Sequence, residues 1–225
     1  VSSHFGTVTT AGLALTADVA PAPGVLVRNL RADARPAPGW SVDWRVEDRY
    51  GLAAPGPAIH LRYTDLTPDA EARLGEAWVV PGGFTSAAEA WVPRVQVRRA
   101  APEALASTFV AVIEPYRGAR PLRQIARLPL AGPDGHPLDA HAVAVELTTT
   151  DGARHLLLAL NPERGVRQAQ QPEVGLTLHG DAAWLQLDPA GRVRRAALCN
   201  GTRLTAPGFA LELPEETAFT EVDNG

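Results

Sequence analysis

The segment Ile59-His60-Leu61-Arg62-Tyr63-Thr64-Asp65 concentrates side chains of the types that do chemistry. Read as a strand, it puts His60, Arg62 and Thr64 on one face and Leu61, Tyr63 and Asp65 on the other. An imidazole and a guanidinium facing a sugar groove can bind an acidic saccharide, because arginine clamps a carboxylate through two parallel hydrogen bonds. The same two groups are equally the solvated side of an antiparallel sheet, with Asp65 capping the next turn.

A second polar group, Glu114, Tyr116 and Arg117, comes after the alternating run 108–113. Pro115 lacks a ladder donor and Gly118 frees the backbone, so the sequence predicts a strand that stops at Pro115 and turns at Gly118. Tyrosine stacks on sugar rings and arginine pairs with uronate or sulfate, so Tyr116 and Arg117 are candidate glycan contacts. The plain alternative is a seam between domains, braced by a salt bridge and a half-buried tyrosine.

Asp134, His136, Asp139 and His141 carry oxygen and imidazole donors of the kind that hold zinc. Pro133, Gly135 and Pro137 among them instead describe an exposed hairpin tip, and the weak metal candidates are His136, Asp139 and His141. The five tryptophans, Trp40, Trp44, Trp78, Trp91 and Trp184, can be stacking platforms or core; apolar neighbours at strand spacing favour core for most of them. Cys199 has no nearby base to activate it and reads as a strand thiol.

The elements that must carry these groups are short strands. Trp40, Val42, Trp44 and Val46 alternate with Ser41, Asp43, Arg45 and Glu47, and Val95 and Val97 alternate with Arg94, Gln96 and Arg98. Apolar runs at 142–149 and 154–160 are joined by Asp151-Gly152, and runs at 184–187 and 193–198 flank the turn Asp188-Pro-Ala-Gly191. Further strands are expected at 25–30, 58–64, 122–128, 174–178 and 209–213. Thr67-Pro68-Asp69 can open a short helix, although Ala72, Leu74, Glu76 and Trp78 also fit one face of a strand. Ser86 to Glu89 can cap a single turn. The expected fold is all-β: an antiparallel, supersandwich-like β-sandwich over 1–130 and a smaller antiparallel region over 131–225.

Composition narrows the partners. The 225 residues are 45% hydrophobic and 20% charged, and the 20 glycines and 20 prolines are dispersed, as in a domain of many turns. A net charge of −4 offers no basic face for nucleic acid. No apolar run approaches the roughly 20 residues of a membrane span. A single cysteine excludes a disulfide framework and a thiolate metal site. The chain begins Val1-Ser-Ser-His, with neither an initiator methionine nor an apolar leader, and is expected to be a piece of a longer protein.

Three segments resemble the C-terminal β-rich part of heparinase II/III-type polysaccharide lyases. They are Trp44-Arg-Val-Glu-Asp48 with the run 59–67; Glu76-Ala-Trp-Val79 through Glu89-Ala-Trp-Val-Pro-Arg94; and the run 107–118. The similarity covers roughly residues 40–130 and consists of packing and turn patterns. It implies an α/α toroid ahead of antiparallel β-sandwiches, an acidic polysaccharide substrate, and a periplasmic or secreted bacterial location. It also implies β-elimination, which needs a base for the proton beside the carboxylate, neutralisation of the charge that develops, and an acid for the leaving oxygen. In that family most of these groups lie on the toroid, and a zinc site belongs to the start of the β region. This chain has neither a toroid nor a His-Gly-His segment, so no family catalytic residue transfers to it, and no cofactor is expected in it, zinc belonging to the longer protein. The rival expectation is a free-standing carbohydrate-binding or structural β-sandwich.

Overall fold

The computed structural model describes residues 5–16, 26–48, 51–79 and 90–224. Over these residues the chain is all-β and antiparallel, and its one helical element is a single 3-10 turn at Pro162–Arg164. The turn expected at Ser86 to Glu89 lies outside the described residues. Two compact units divide at Val1–Ala119 and Arg120–Gly225. The sequence sets its boundary near residue 130, whereas the strand at Leu122–Leu128 is hydrogen-bonded into the sheet of the second unit.

The first unit is a sandwich of two sheets. One has the order β1-β3-β4-β7, from Phe5–Ala11, Ser41–Val46, Ile59–Asp65 and Ala111–Arg117; the other has β2-β5-β6, from Val27–Asp33, Glu71–Val79 and Ala90–Arg98. Between them Trp40, Val42 and Trp44 bury against Ala72 and Leu74, with Val8, Tyr63, Val95 and Val97 at the margin. That core settles the ambiguity at Thr67-Pro68-Asp69. Asp65 accepts the Thr67 amide at 2.8 Å, Asp69 turns the chain at φ 52°, and the chain then enters β5. Alternation buries Ala72 and Leu74 together against the facing tryptophans, so period two wins over period 3.6.

Pro115 does not end its strand. It lies inside β7, opposite Leu61, and β7 is the edge of its sheet, where one side of the ladder needs no donor. The turn comes at Gly118, whose amide donates to the Ala58 carbonyl at 3.0 Å. Glu114 and Tyr116 are therefore strand residues facing β4, not groups at a strand exit.

The second unit is one strongly curved sheet in the order β11-β12-β14-β13-β10-β9-β8, with β15 also paired to β14. Its strands are β8 Leu122–Leu128, β9 Val143–Thr149, β10 Arg154–Ala159, β11 Gln168–Gln171, β12 Leu176–His179, β13 Ala182–Leu187, β14 Val193–Ala206 and β15 Phe209–Asp223. Leucines from β10, β12, β13 and β14 fill its core. β14 and β12 approach closely where Gly201 passes Gly180, because a Cβ on Gly201 would sit 2.5 Å from the His179 carbonyl oxygen and 2.8 Å from the Gly180 Cα. Backbone cannot yield as a side-chain tip can. Gly201→Ala is expected to destabilise the second unit by roughly 1–3 kcal/mol, read as a lower urea midpoint in Trp184 fluorescence.

The β13–β14 hairpin has the expected Asp188-Pro-Ala-Gly191 turn, with Gly191 at φ 81° and its amide on the Asp188 carbonyl at 2.9 Å. The Arg192 amide donates to the Asp188 carboxylate at 2.9 Å, and this bond, reinforced by the Arg192 guanidinium, holds the carboxyl below its ordinary pKa. A depressed carboxyl stabilises the fold above the unfolded value, about 3.9, and that contribution is lost as pH falls through the lower folded value. Between the unfolded value and the lower folded one, stability should therefore fall less steeply with falling pH in Asp188→Asn than in the wild type; parallel curves across that window would refute the assignment.

Candidate functional site

β3, β4 and β7 bring the chemistry-bearing residues of the first unit onto one face. The register sets Arg62 between Asp43 and Glu114, His60 between Arg45 and Tyr116, and Thr64 between Ser41 and Val112. Asp43 is the hub. Its Oδ1 lies 2.7 Å from His60 Nδ1, its Oδ2 accepts the Tyr116 hydroxyl at 2.5 Å, and Arg62 Nη1 stands 3.7 Å from Oδ2. Arg62 Nη2 donates to Ser41 Oγ at 2.5 Å. The His60 and Tyr116 rings stack, with centroids 4.8 Å apart and planes 12° off parallel.

This face is not the wet side of a sheet. Ser41, Asp43, Thr64 and Glu114 are all buried, and the His60 and Arg62 side chains keep only about a fifth of their exposure. The reading of His60 and Arg62 as the solvated side of a sheet is therefore corrected. The cause is electrostatic: a carboxylate out of water needs partners, and two neighbouring strands supply an imidazole, a phenol and a guanidinium. With Nδ1 donating to Asp43, the neutral His60 ring carries its lone pair on Nε2, so its orientation and tautomer are fixed. That makes one oriented weak base. Arg62, the group suited to neutralise a substrate carboxylate, is spent on Asp43 and Ser41, and its Nε has no protein acceptor.

Tyr63, on the opposite face of β4, donates to Asp65 at 2.5 Å; burial first, then this bond, push its phenol above the ordinary range. Arg117 is separate from the network. Its Nη2 donates to the Ala54 carbonyl at 3.2 Å, bracing the loop before β4.

The loop cluster in the second unit does not assemble. The Asp134 carboxylate accepts the His136 amide, Asp139 accepts the His141 amide, and Asp139 also meets Arg164 at 3.3 Å. Each aspartate closes its own turn, and among the described residues no three His, Cys, Asp or Glu side chains are placed to share a metal. Cys199 is half-buried in β14, paired with Ala182 and Phe219.

A cleft that the sequence does not announce lies at one end of the sandwich. β5 carries Ala72, Leu74, Glu76 and Trp78 on one face, opposite Val97, Val95, Pro93 and Trp91 of β6. The first two pairs are core; from Glu76 onward the face turns polar and aromatic. Together with Gly6, Val8, Val42 and Trp44 of the other sheet it lines a cavity of about 420 Å³. Arg28 lies 4.3 Å over the Trp91 ring and donates to Glu76 Oε2 at 2.9 Å, and Asn29 Nδ2 donates to the same oxygen at 2.7 Å. Asn29 sits at φ 54° in the bulge that lets Arg31 stand opposite Leu74. Arg31 and Arg94 also line the cavity, and among the described residues their guanidiniums have no ion pair or hydrogen bond.

Sequence reasoning finds His60, Arg62 and Tyr116 but does not bring Asp43 to them. The available signal is charge complementarity between Ser41-Val-Asp43 and His60-Leu-Arg62; what it lacks is register, because no short hairpin fixes it across residues 47–58. Among the described residues no helix is long and apolar enough to cross a membrane. No family model matches the chain, and no curated protein matches it.

Proposed function

We propose that this chain is the β-sandwich portion of a heparinase II/III-like lyase that degrades uronic-acid polysaccharides by β-elimination. In this reading it forms scaffold and cleft wall, while an α/α toroid of the same protein carries the elimination chemistry. The carrying observation is a run of exposed large apolar side chains, Leu105, Phe109 and Ile113, on and just before the edge strand β7. Exposed apolar residues gathered in one stretch suit a docked domain better than water. They also fall within and beside the segment that bears the family resemblance.

The Asp43 network fits the same division of labour. Elimination asks for a base, a neutralising group and an acid, whereas His60, Tyr116 and Arg62 are all committed to one carboxylate. Such a network stiffens a wall. The polymeric acidic substrate puts the protein in the periplasm or outside the cell, and any zinc belongs to the longer protein.

The test uses the chain with polymers of uronic acid. It is expected to be retarded by them in affinity electrophoresis and to release no ultraviolet-absorbing unsaturated product. Turnover by the chain alone would overturn the scaffold assignment, and unchanged migration would overturn the polysaccharide reading.

A further inference from the structure

The row at the margin of the Asp43 network has a feature that bracing a wall does not use. The ladders set Arg45 of β3, His60 of β4 and Tyr116 of β7 side by side on one face. Three contacts fix the His60 ring: Nδ1 lies 2.7 Å from Asp43, the Tyr116 ring stacks on it, and the Tyr116 hydroxyl is tied to the same carboxylate. The other ring nitrogen is left over. Among the described residues His60 Nε2 has no protein partner, and the buried side-chain polar atoms without one are Trp44 Nε1 and Arg62 Nε. His60 Nε2 is therefore open to solvent while the rest of its ring is held. Arg45 is its neighbour on the β3 side. It is exposed, and among the described residues its guanidinium has neither an ion pair nor a hydrogen bond. It borders an open hollow of about 660 Å³ with Gly6, Thr7, Glu47 and Asp48. The two acids there are engaged: Asp48 accepts the Leu52 and Ala53 amides, and Glu47 has a partner of its own. Residues paired directly across two strands have Cβ atoms roughly 5 Å apart, so the Arg45 guanidinium and His60 Nε2 can meet one small ligand together.

We infer that Arg45 and His60 form a subsite for one uronate residue, Arg45 clamping its carboxylate and His60 Nε2 accepting a hydrogen bond from one of its hydroxyls. The arginine for this task is Arg45 and not Arg62, which Asp43 and Ser41 already hold. A guanidinium takes a carboxylate through two parallel N–H bonds, and a neutral imidazole that donates from Nδ1 keeps its lone pair on Nε2. Uronate carries both matching groups on one rigid ring. A neutral sugar lacks the first and a simple carboxylate lacks the second. Asp43 and Tyr116 are positioning residues here: they set the acceptor in place before the ligand arrives, which lowers the ordering cost of binding. The ligand class rests on the proposed action on uronic-acid polysaccharides. The subsite recognises and does not cleave, because one acceptor and one cation supply no acid for a leaving oxygen.

The probe is a tetrasaccharide of alternating glucuronate and N-acetylglucosamine, compared with the same compound after its carboxyls are reduced to alcohols. The ring signals of the 6 histidines of the full chain are followed, that of His60 being assigned through its contact with the Tyr116 ring. Saturable movement of the His60 signal is expected with the acidic compound, and binding weaker by roughly tenfold or more with the reduced one. Arg45→Gln, at an exposed position, should weaken binding by roughly tenfold or more while the unbound His60 signal stays in place. Arg203→Gln, which removes a guanidinium paired with Glu212 in the other unit, should leave binding unchanged. Retention on polyuronate with no movement at His60, equal affinity for the reduced compound, or an unaffected Arg45→Gln variant would overturn the subsite and leave the polysaccharide reading standing. Movement at His60 that depends on Arg45, in a protein whose full length produces no unsaturated uronate, would sink the lyase reading and leave the subsite.

Discussion

Replacing Asp43 with alanine is expected to destabilise the first unit by roughly 3 kcal/mol, near the lower end of what breaking a buried ion pair costs. The carboxylate is 9% exposed and holds His60 and Tyr116 by direct hydrogen bonds and Arg62 by charge. Its loss leaves a buried guanidinium with Ser41 as its remaining neutral partner, and deprives the Tyr116 phenol of the acceptor it uses. The figure sits low in the range because His60 and Arg62 keep some water. Asp43→Asn preserves shape and one acceptor, so it should cost about half as much, and Tyr116→Phe, which removes a single hydroxyl, roughly 1–2 kcal/mol. Urea unfolding read through Trp40, Trp44, Trp78 and Trp91 orders the three variants. An alanine variant no worse than the phenylalanine one would mean that Asp43 is no hub, and the account of a braced wall would fall with it.

The hub is half legible in the sequence. Alternation in Trp40 to Glu47 correctly separates Val42 and Trp44 from Ser41 and Asp43, because side-chain direction comes from the pleat alone. Environment does not. Whether the polar side meets water or a neighbouring strand's opposite charges depends on register, and β3 and β4 are joined through a long segment that leaves register open. Hairpins with their own turn chemistry are legible for the opposite reason. Asp151-Gly152 and Asp188-Pro-Ala-Gly191 fix both turn and pairing locally, and their strands pair as expected. Pro115 misleads because its cost depends on whether its strand is central or at an edge, which only the sheet order decides. The cleft is hidden for a similar reason. Glu76 and Trp78 extend a core face past the point where the opposing sheet covers it, and Arg31 reaches that face only through a bulge.

The largest single effect is expected at Leu198→Ala, roughly 3–5 kcal/mol in the second unit. Leu198 is fully buried, as are Leu178, Leu185 and Leu204 in the same core, and hydrogen-bonded strands on both sides keep the gap from closing. Trp184, the one tryptophan of that unit in the sequence, is paired with Ala197 and reports the transition. The substitution also tests why Gly201 is glycine. A Cβ there would meet Leu198 Cδ1 at 2.9 Å, but the His179 carbonyl oxygen at 2.5 Å. Truncating Leu198 removes the first conflict and leaves the second. Gly201→Ala should therefore still destabilise a Leu198→Ala background, by somewhat less than it does the wild type. If it became neutral there, side-chain crowding alone would account for the glycine; a residual cost locates the constraint in the approach of two backbones, which no repacking of the leucine core relieves.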